Sequence, residues 1–245
     1  LEVPTNNIGS YDLSASCTMA EYLARWDPAA ALPVAQTLVK RACTVMRYSG
    51  QQLGPAVARL SIVCANDGDP KAFNDYAGWL VTTAPGQLGY SLAECLEPLL
   101  KFPTNEVLQA AVLKLFAGTN SAWAHLPWKE NNNFNPLDSG LVKNSAFRLL
   151  LVRELERTNV CGTFTWRDPG QVSYEMTNYQ SGSYGALTFP SGSQPTNGAT
   201  SEMRWCDWIA FQLSKGKSIA FFNPFAPVAQ RNEAIAGAKA QLNQP

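Results

Sequence analysis

The chain has 245 residues, of which 46% are hydrophobic and 16% are charged, and its 19 basic and 19 acidic side chains give a net charge of zero. A chain of this size can bury a hydrophobic core. Because basic residues do not outnumber acidic ones, the protein has no strong positive field with which to attract nucleic acid. Weak colloidal repulsion permits self-association. No run of 18 apolar residues exists, so we expect no membrane-spanning helix.

Most of the chain is predicted to be mainly α-helical. Residues 1–17 are polar and rich in turn-forming residues, and we expect an extended N-terminal arm there. Residues 18–158 then show helical periodicity and are predicted to form a helical core. The predicted helices of this core span residues 18–26, 34–48, 51–65, 70–83, 91–100, 104–116 and 141–157. The last has the clearest amphipathic stripe, formed by Phe147, Leu150, Leu151 and Leu155.

A long polar connection, residues 124–140, separates the last two of these helices. It is rich in asparagine, interrupted by proline, and contains the only histidine, His125. Long ordered loops in compact domains usually have a function. We therefore predict that Trp128 and Phe134 contact a neighbouring subunit or a ligand, and that His125 is packed and hydrogen-bonded, with no catalytic role.

Composition changes at residue 159, where a segment rich in glycine, serine and threonine begins and runs to residue 200. Apolar residues alternate on both sides of Asp168-Pro169-Gly170, which is favourable turn chemistry, so the sequence predicts a β-hairpin here. A short edge strand is expected near Leu187.

Residues 201–245 are predicted to form a C-terminal helical tail. Thr200 is expected to cap a helix that ends near Leu213, and a last helix is predicted over 227–242. In that last helix, apolar residues recur every seven positions, which predicts a subunit contact through Val228, Ile235 and Leu242.

No pattern for catalysis, metal or cofactor binding is found. Six dispersed cysteines and one histidine do not provide a zinc site, and there is no G-x-S-x-G motif. Lys215–Ser218 ends like a P-loop, but Phe211 stands where the first glycine belongs,. We therefore expect no catalytic residues, no metal and no cofactor. The cysteines are interpreted as buried free thiols, with three disulfides as the alternative.

Charge is unevenly distributed along the predicted helices. No acidic residue occurs between Asp27 and Asp67, whereas five acidic residues and one basic residue follow up to Glu97. A basic helical pair followed by an acidic one favours head-to-tail assembly or a groove that binds phosphate. The candidate nucleic-acid contacts are Lys40, Arg41, Arg47 and Arg59, followed by Arg148 and Arg153.

These features favour a self-assembling structural protein, such as a viral coat (capsid) protein enclosing single-stranded RNA. Its partner would be itself, and its location the virion or the cytoplasm. A further hypothesis is a scaffold protein that assembles in the same way but encloses no RNA. The alternative is a secreted or effector-type globular protein with disulfides, located outside the cell, that binds carbohydrate or acts as a hydrolase. Residues 123–136 and 164–189 would form its cleft.

Overall fold

The computed structural model describes residues 10–45, 50–69, 71–83, 88, 91–117, 123, 142, 144–167, 170–177, 181–184, 189, 194–215 and 218–244. The chain is mainly α-helical with a small antiparallel sheet, as the sequence predicts. It divides into two compact units, Leu1–Pro136 (unit 1) and Leu137–Pro245 (unit 2). The division precedes the predicted boundary at residue 158, because the helix with the clear amphipathic stripe belongs to unit 2.

The described part of unit 1 is built from helices alone. They are α1 (Ser10–Trp26), α2 (Pro28–Val45), α3 (Gly50–Asn66), α4 (Lys71–Thr82), α5 (Leu92–Cys95), α6 (Glu97–Lys101) and α7 (Glu106–Ala117). Helix α1 begins at Ser10, so residues 10–17 are helical and do not form the predicted arm, while residues 1–9 lie outside the described residues. Apolar spacing explains the difference, since Leu13, Cys17 and Ala20 are buried along one face of α1,.

Side-chain caps define several helix starts in unit 1. Asp27 separates α1 from α2, and its Oδ1 accepts a hydrogen bond from the Ala30 amide at 3.1 Å. Pro28 then serves as the first residue of α2, a position where its missing N–H is harmless. Asp69 accepts a hydrogen bond from the Lys71 amide at 3.0 Å at the start of α4. Asn105 caps α7 by accepting from the Leu108 amide.

The core of unit 1 is apolar, with one tyrosine hydroxyl satisfied inside it. Tyr76 is fully buried and donates to the Cys95 carbonyl at 2.6 Å. Gly54 lets α3 approach α5 closely, because a Cβ at this position would lie 2.6 Å from the Cys95 Sγ atom. The helix predicted over 91–100 is divided into α5 and α6 at Leu96, just before Pro98, which cannot donate a helical hydrogen bond.

Unit 2 combines helices with a four-stranded antiparallel sheet of order β3-β2-β1-β4. Its elements are α8 (Ser145–Glu154), β1 (Val160–Arg167), β2 (Gln171–Met176), β3 (Ser181–Tyr184), β4 (Thr200–Arg204), α9 (Trp205–Lys215) and α10 (Val228–Leu242). The predicted hairpin is confirmed: Trp166 pairs with Val172, and Gly170 has φ 75° in the turn. Strand β3 lies at one edge of the sheet, while the edge strand predicted near Leu187 lies outside the described residues.

The inner face of the sheet packs against α9. Phe164 contacts Phe211 with ring centroids 5.2 Å apart, and Tyr174 contacts Trp208 at 6.3 Å. The prediction that Thr200 caps a helix is wrong, because residues 200–204 pair with β1 as strand β4. Helix α9 starts five residues later, where the Asp207 carboxylate accepts from the Arg204 amide at 3.1 Å.

Candidate functional site

The predicted nucleic-acid contacts of unit 1 do not have equal access to solvent. Lys40 is exposed on α2 and Arg41 is partly exposed beside it. Arg47 lies outside the described residues. On α3, the Arg59 Nε donates to Glu21 of α1 at 3.0 Å. Arg59 is thus held by an acidic residue of its own unit, and of these residues Lys40 presents the more accessible charge.

In unit 2, the two predicted nucleic-acid contacts lie on α8. The Arg148 Nη1 donates to the Gln244 carbonyl at 2.7 Å, which ties α8 to the end of the chain. Arg153 is exposed and makes no ion pair with any residue that the structure describes. Arg153 therefore has its full charge available to a ligand.

The predicted subunit contacts have three different outcomes. Ile235 and Leu242 are buried on α10, so their packing is made inside unit 2 and they present no surface to a neighbouring copy. Val228 is 49% exposed. Trp128 and Phe134 lie outside the described residues, as does His125. The seven-residue spacing in α10 thus marks an intramolecular seam, which also contains the buried Arg231 and Ala238.

A different helix, α1, carries three of the eight large hydrophobic side chains that are exposed among the described residues. On α1, Met19, Tyr22 and Trp26 are 57%, 58% and 87% exposed. Together with the exposed Ala15 they form a line that we call the α1 stripe. Its residues are spaced by four, three and four positions, so they share one face of the helix. Helix α1 therefore has two apolar faces, one packed on α2 and α3 and one in solvent.

Charged residues border the α1 stripe at one end. The Glu21 carboxylate bridges Arg25 at 3.3 Å and Arg59 at 3.0 Å. The Arg25 guanidinium also lies 5.2 Å from the centre of the Tyr22 ring, a geometry that favours cation–π attraction. These contacts fix the last turn of α1 against α3 and hold Tyr22 in an outward orientation.

A cleft of about 420 Å³ lies behind this bridge, between α1, α3 and α6. Its charged lining contains three cations and three anions: Glu21, Arg25, Arg59, Asp67, Glu97 and Lys101. Glu97 and Lys101 form a further ion pair at 3.3 Å. Because the cations are matched by neighbouring anions, the cleft has no net charge with which to select an anionic or cationic ligand.

Unit 2 contains a buried charge cluster that is structural. Asp207 is fully buried and accepts two hydrogen bonds from the Arg204 guanidinium, at 2.8 and 2.7 Å. It also accepts one from Arg231 of α10. The remaining Arg204 nitrogen donates to Asn232 at 2.8 Å. A fully paired carboxylate of this kind has no lone pair directed at a substrate, and it joins β4, α9 and α10.

A second buried acid, Glu154, anchors α8 to α9. Its Oε2 accepts from the Trp205 indole at 2.7 Å and from Arg157 at 2.7 Å. The Arg157 guanidinium stacks 4.9 Å from the Trp205 ring centre. The Glu154 carboxylate is therefore engaged in structural hydrogen bonds and is not positioned to act as a general base.

The six cysteines are free thiols, and all except the partly exposed Cys43 are buried. Burial raises the pKa of five of them to about 12: Cys17, Cys43, Cys64, Cys95 and Cys161. Burial also raises the pKa of Cys206. Because the thiolate is the nucleophile, these residues are unreactive at neutral pH.

The described residues contain no group of three or more side chains that could together hold a metal ion. No helix in this part of the chain has the length and apolar character that a membrane span requires. Comparison with protein families, curated proteins and solved structures finds no match to this chain.

The α1 stripe is the feature that sequence reasoning missed. The alternation of three and four residues from Ala15 to Trp26 is present in the sequence and is the pattern typical of helices that pair. Interpreting residues 1–17 as an arm leaves Ala15 out of the pattern, so the spacing is not recognised.

Proposed function

We propose that the chain is a self-assembling structural protein, of the kind that forms a viral coat, and that it is not an enzyme. The observation that supports this most is the α1 stripe, where two aromatic rings and a methionine side chain face solvent on one helix. Contiguous apolar patches of this type mark interaction surfaces, because leaving them in water is unfavourable. The zero net charge of the chain supports the same proposal, since copies do not repel one another.

We further propose that the assembled protein encloses single-stranded RNA. Lys40 and Arg153 are exposed cations, and we assign them the leading phosphate contacts in units 1 and 2 respectively. Arg59 and Arg148 are already engaged within the chain, so they contribute less. With few contacts of this kind per copy, RNA affinity would come from many assembled copies acting together.

Two observations weigh against the secreted alternative. Its three disulfides require paired cysteines, whereas all six are free. Its carbohydrate cleft requires accessible aromatic rings. Residues 124–136 of that cleft lie outside the described residues, and in the described part Phe164 and Trp166 are buried in the core of unit 2.

Electron microscopy of the purified chain, combined with its A260/A280 ratio, tests the proposal. We expect filaments or particles, and a raised ratio that falls after ribonuclease treatment. Particles whose A260/A280 ratio is that of protein alone would support self-assembly and refute the enclosure of RNA. A monodisperse monomer free of nucleic acid would refute self-assembly.

A further inference from the structure

The chain contains a single asparagine–glycine step, Asn197–Gly198, which lies in an exposed turn of unit 2. The Ala199 amide donates to the Thr196 carbonyl at 2.9 Å and closes this turn. Gly198 has φ 81°, a conformation that glycine adopts without steric cost. A Cβ at Gly198 would meet nothing within 4 Å, so this side of the turn is open to water.

The Asn197–Gly198 step has the chemistry for spontaneous loss of the asparagine amide. The backbone nitrogen of Gly198 attacks Cγ of Asn197 and forms a five-membered succinimide, and the departing NH2 group takes up a proton and leaves as ammonia. Glycine favours this attack because it has no Cβ to hinder its nitrogen. Water then opens the ring at either carbonyl and gives aspartate or isoaspartate. The conversion consumes one water, releases one ammonia and needs no oxidant or cofactor.

In the folded chain, a backbone hydrogen bond holds the attacking nitrogen. The Gly198 amide donates to the Trp166 carbonyl at 3.0 Å, and the Trp166 amide donates to the Ala199 carbonyl at 2.8 Å. These two bonds continue the pairing of β1 with β4. Trp166 is buried and also pairs with Val172 of β2, so the accepting carbonyl is fixed. The Gly198 nitrogen therefore reaches Cγ of Asn197 only after this end of the sheet opens.

The geometry points to Asn197 as a deamidation site that the sheet of unit 2 protects, so that the reaction proceeds only when the end of β4 separates from β1. Either product adds a negative charge. In isoaspartate the main chain runs through the side-chain carbon, which lengthens the turn by one backbone atom. The lengthened turn no longer brings the Gly198 and Ala199 amides to their acceptors, so an end of β4 that has separated and reacted stays separated.

Peptide mapping of the full chain by mass spectrometry measures the reaction, after incubation at one pH and temperature in native buffer and in urea. We expect Asn197 to convert to the acid in urea and to convert about ten-fold or more slowly in native buffer, because the bonded amide reacts only from the open state. Asn223 serves as the internal control that stays an amide, since Pro224 follows it and a proline nitrogen carries no proton.

A variant of the turn tests the protecting contact itself. Ala199→Pro removes the amide that donates to Thr196, and a proline also disfavours the turn conformation of Gly198 before it. We expect the folded variant to convert Asn197 about five-fold or more faster than wild type in native buffer, and at the wild-type rate in urea. Thr196→Ala keeps the accepting carbonyl and is the matched control, with the wild-type rate expected in both conditions.

Three results would overturn the inference. An Asn197 that stays an amide in urea excludes the site, and equal rates in native buffer and urea exclude protection by the sheet. A folded Ala199→Pro that reacts like wild type excludes a protecting role for the turn. Where circular dichroism shows that Ala199→Pro is unfolded, hydrogen exchange of the Gly198 amide in wild type takes its place. We expect slow exchange there, and exchange as fast as in urea overturns the protection.

Discussion

The two units hold their folds together by different means. In the described part of unit 1 the core is apolar, and its ion pairs, such as Arg25–Glu21 and Lys101–Glu97, lie at the surface. In unit 2, Asp207 and Glu154 are buried, and each accepts hydrogen bonds from more than one side chain. Apolar packing does not require specific pairs of side chains. The buried charges of unit 2, in contrast, link specific strands and helices through hydrogen bonds. Unit 1 is thus the unit whose helix α1 exposes three large apolar side chains.

The largest expected effect is the loss of the buried charge in unit 2. Asp207→Asn leaves Arg204 and Arg231 without their anion, and we expect the free energy of unfolding of unit 2 to fall by about 3–5 kcal/mol. Thiol labelling in a urea series, read by mass spectrometry, reports each unit separately. Cys161 and Cys206 should react at lower urea than in wild type, while the four thiols of unit 1 keep their transition.

The matched control for this substitution is Glu175→Gln, which neutralises an exposed acid on β2. We expect its labelling profile to match that of wild type. If Asp207→Asn behaved in the same way, the buried cluster would not hold unit 2 together, and the contrast between the units would be lost.

An intermediate effect is expected from crowding the apolar core of unit 1. Gly54→Ala places a Cβ 2.6 Å from Cys95 Sγ and 3.1 Å from the Trp79 ring, so α3 must shift from α5. Overpacking of this kind costs about 1–3 kcal/mol. In the same labelling experiment Cys64 and Cys95 should become reactive at lower urea. An unchanged transition would show that α3 and α5 are not in close contact.

The smallest effect is a gain in stability. Gly78→Ala lies on the exposed face of helix α4, where an added Cβ meets nothing within 4 Å. Alanine loses less conformational entropy than glycine on forming a helix, so unit 1 should gain about 0.5–1 kcal/mol. Urea unfolding followed by circular dichroism measures the change. A loss of stability would contradict the open environment of this residue.

Local signals in the sequence predicted much of the fold. The hairpin at Asp168–Gly170 and the amphipathic helix containing Phe147 and Leu151 were predicted because turn chemistry and periodicity act over a few residues. Strand β4 was missed because its partner, β1, lies about 40 residues earlier, and nothing in residues 200–204 alone distinguishes a strand from a helix start.

The site was predicted less well, because exposure is decided by tertiary packing. In α10 and in α1 the apolar spacing is similar, yet Ile235 and Leu242 are buried inside unit 2, whereas Tyr22 and Trp26 face solvent. Arg59 illustrates the same limit for charge, since its partner Glu21 is 38 residues away. Spacing predicts which residues share a face, and only the fold decides what that face contacts.

Sedimentation velocity of three proteins tests most directly whether the α1 stripe carries self-association. They are the wild-type chain, a Tyr22→Ser/Trp26→Ser variant, and Val107→Ser, which replaces an apolar residue that is 40% exposed on α7. We predict concentration-dependent assembly of the wild type and of Val107→Ser, and a folded monomer for the stripe variant. A stripe variant that assembles like the wild type would contradict the account.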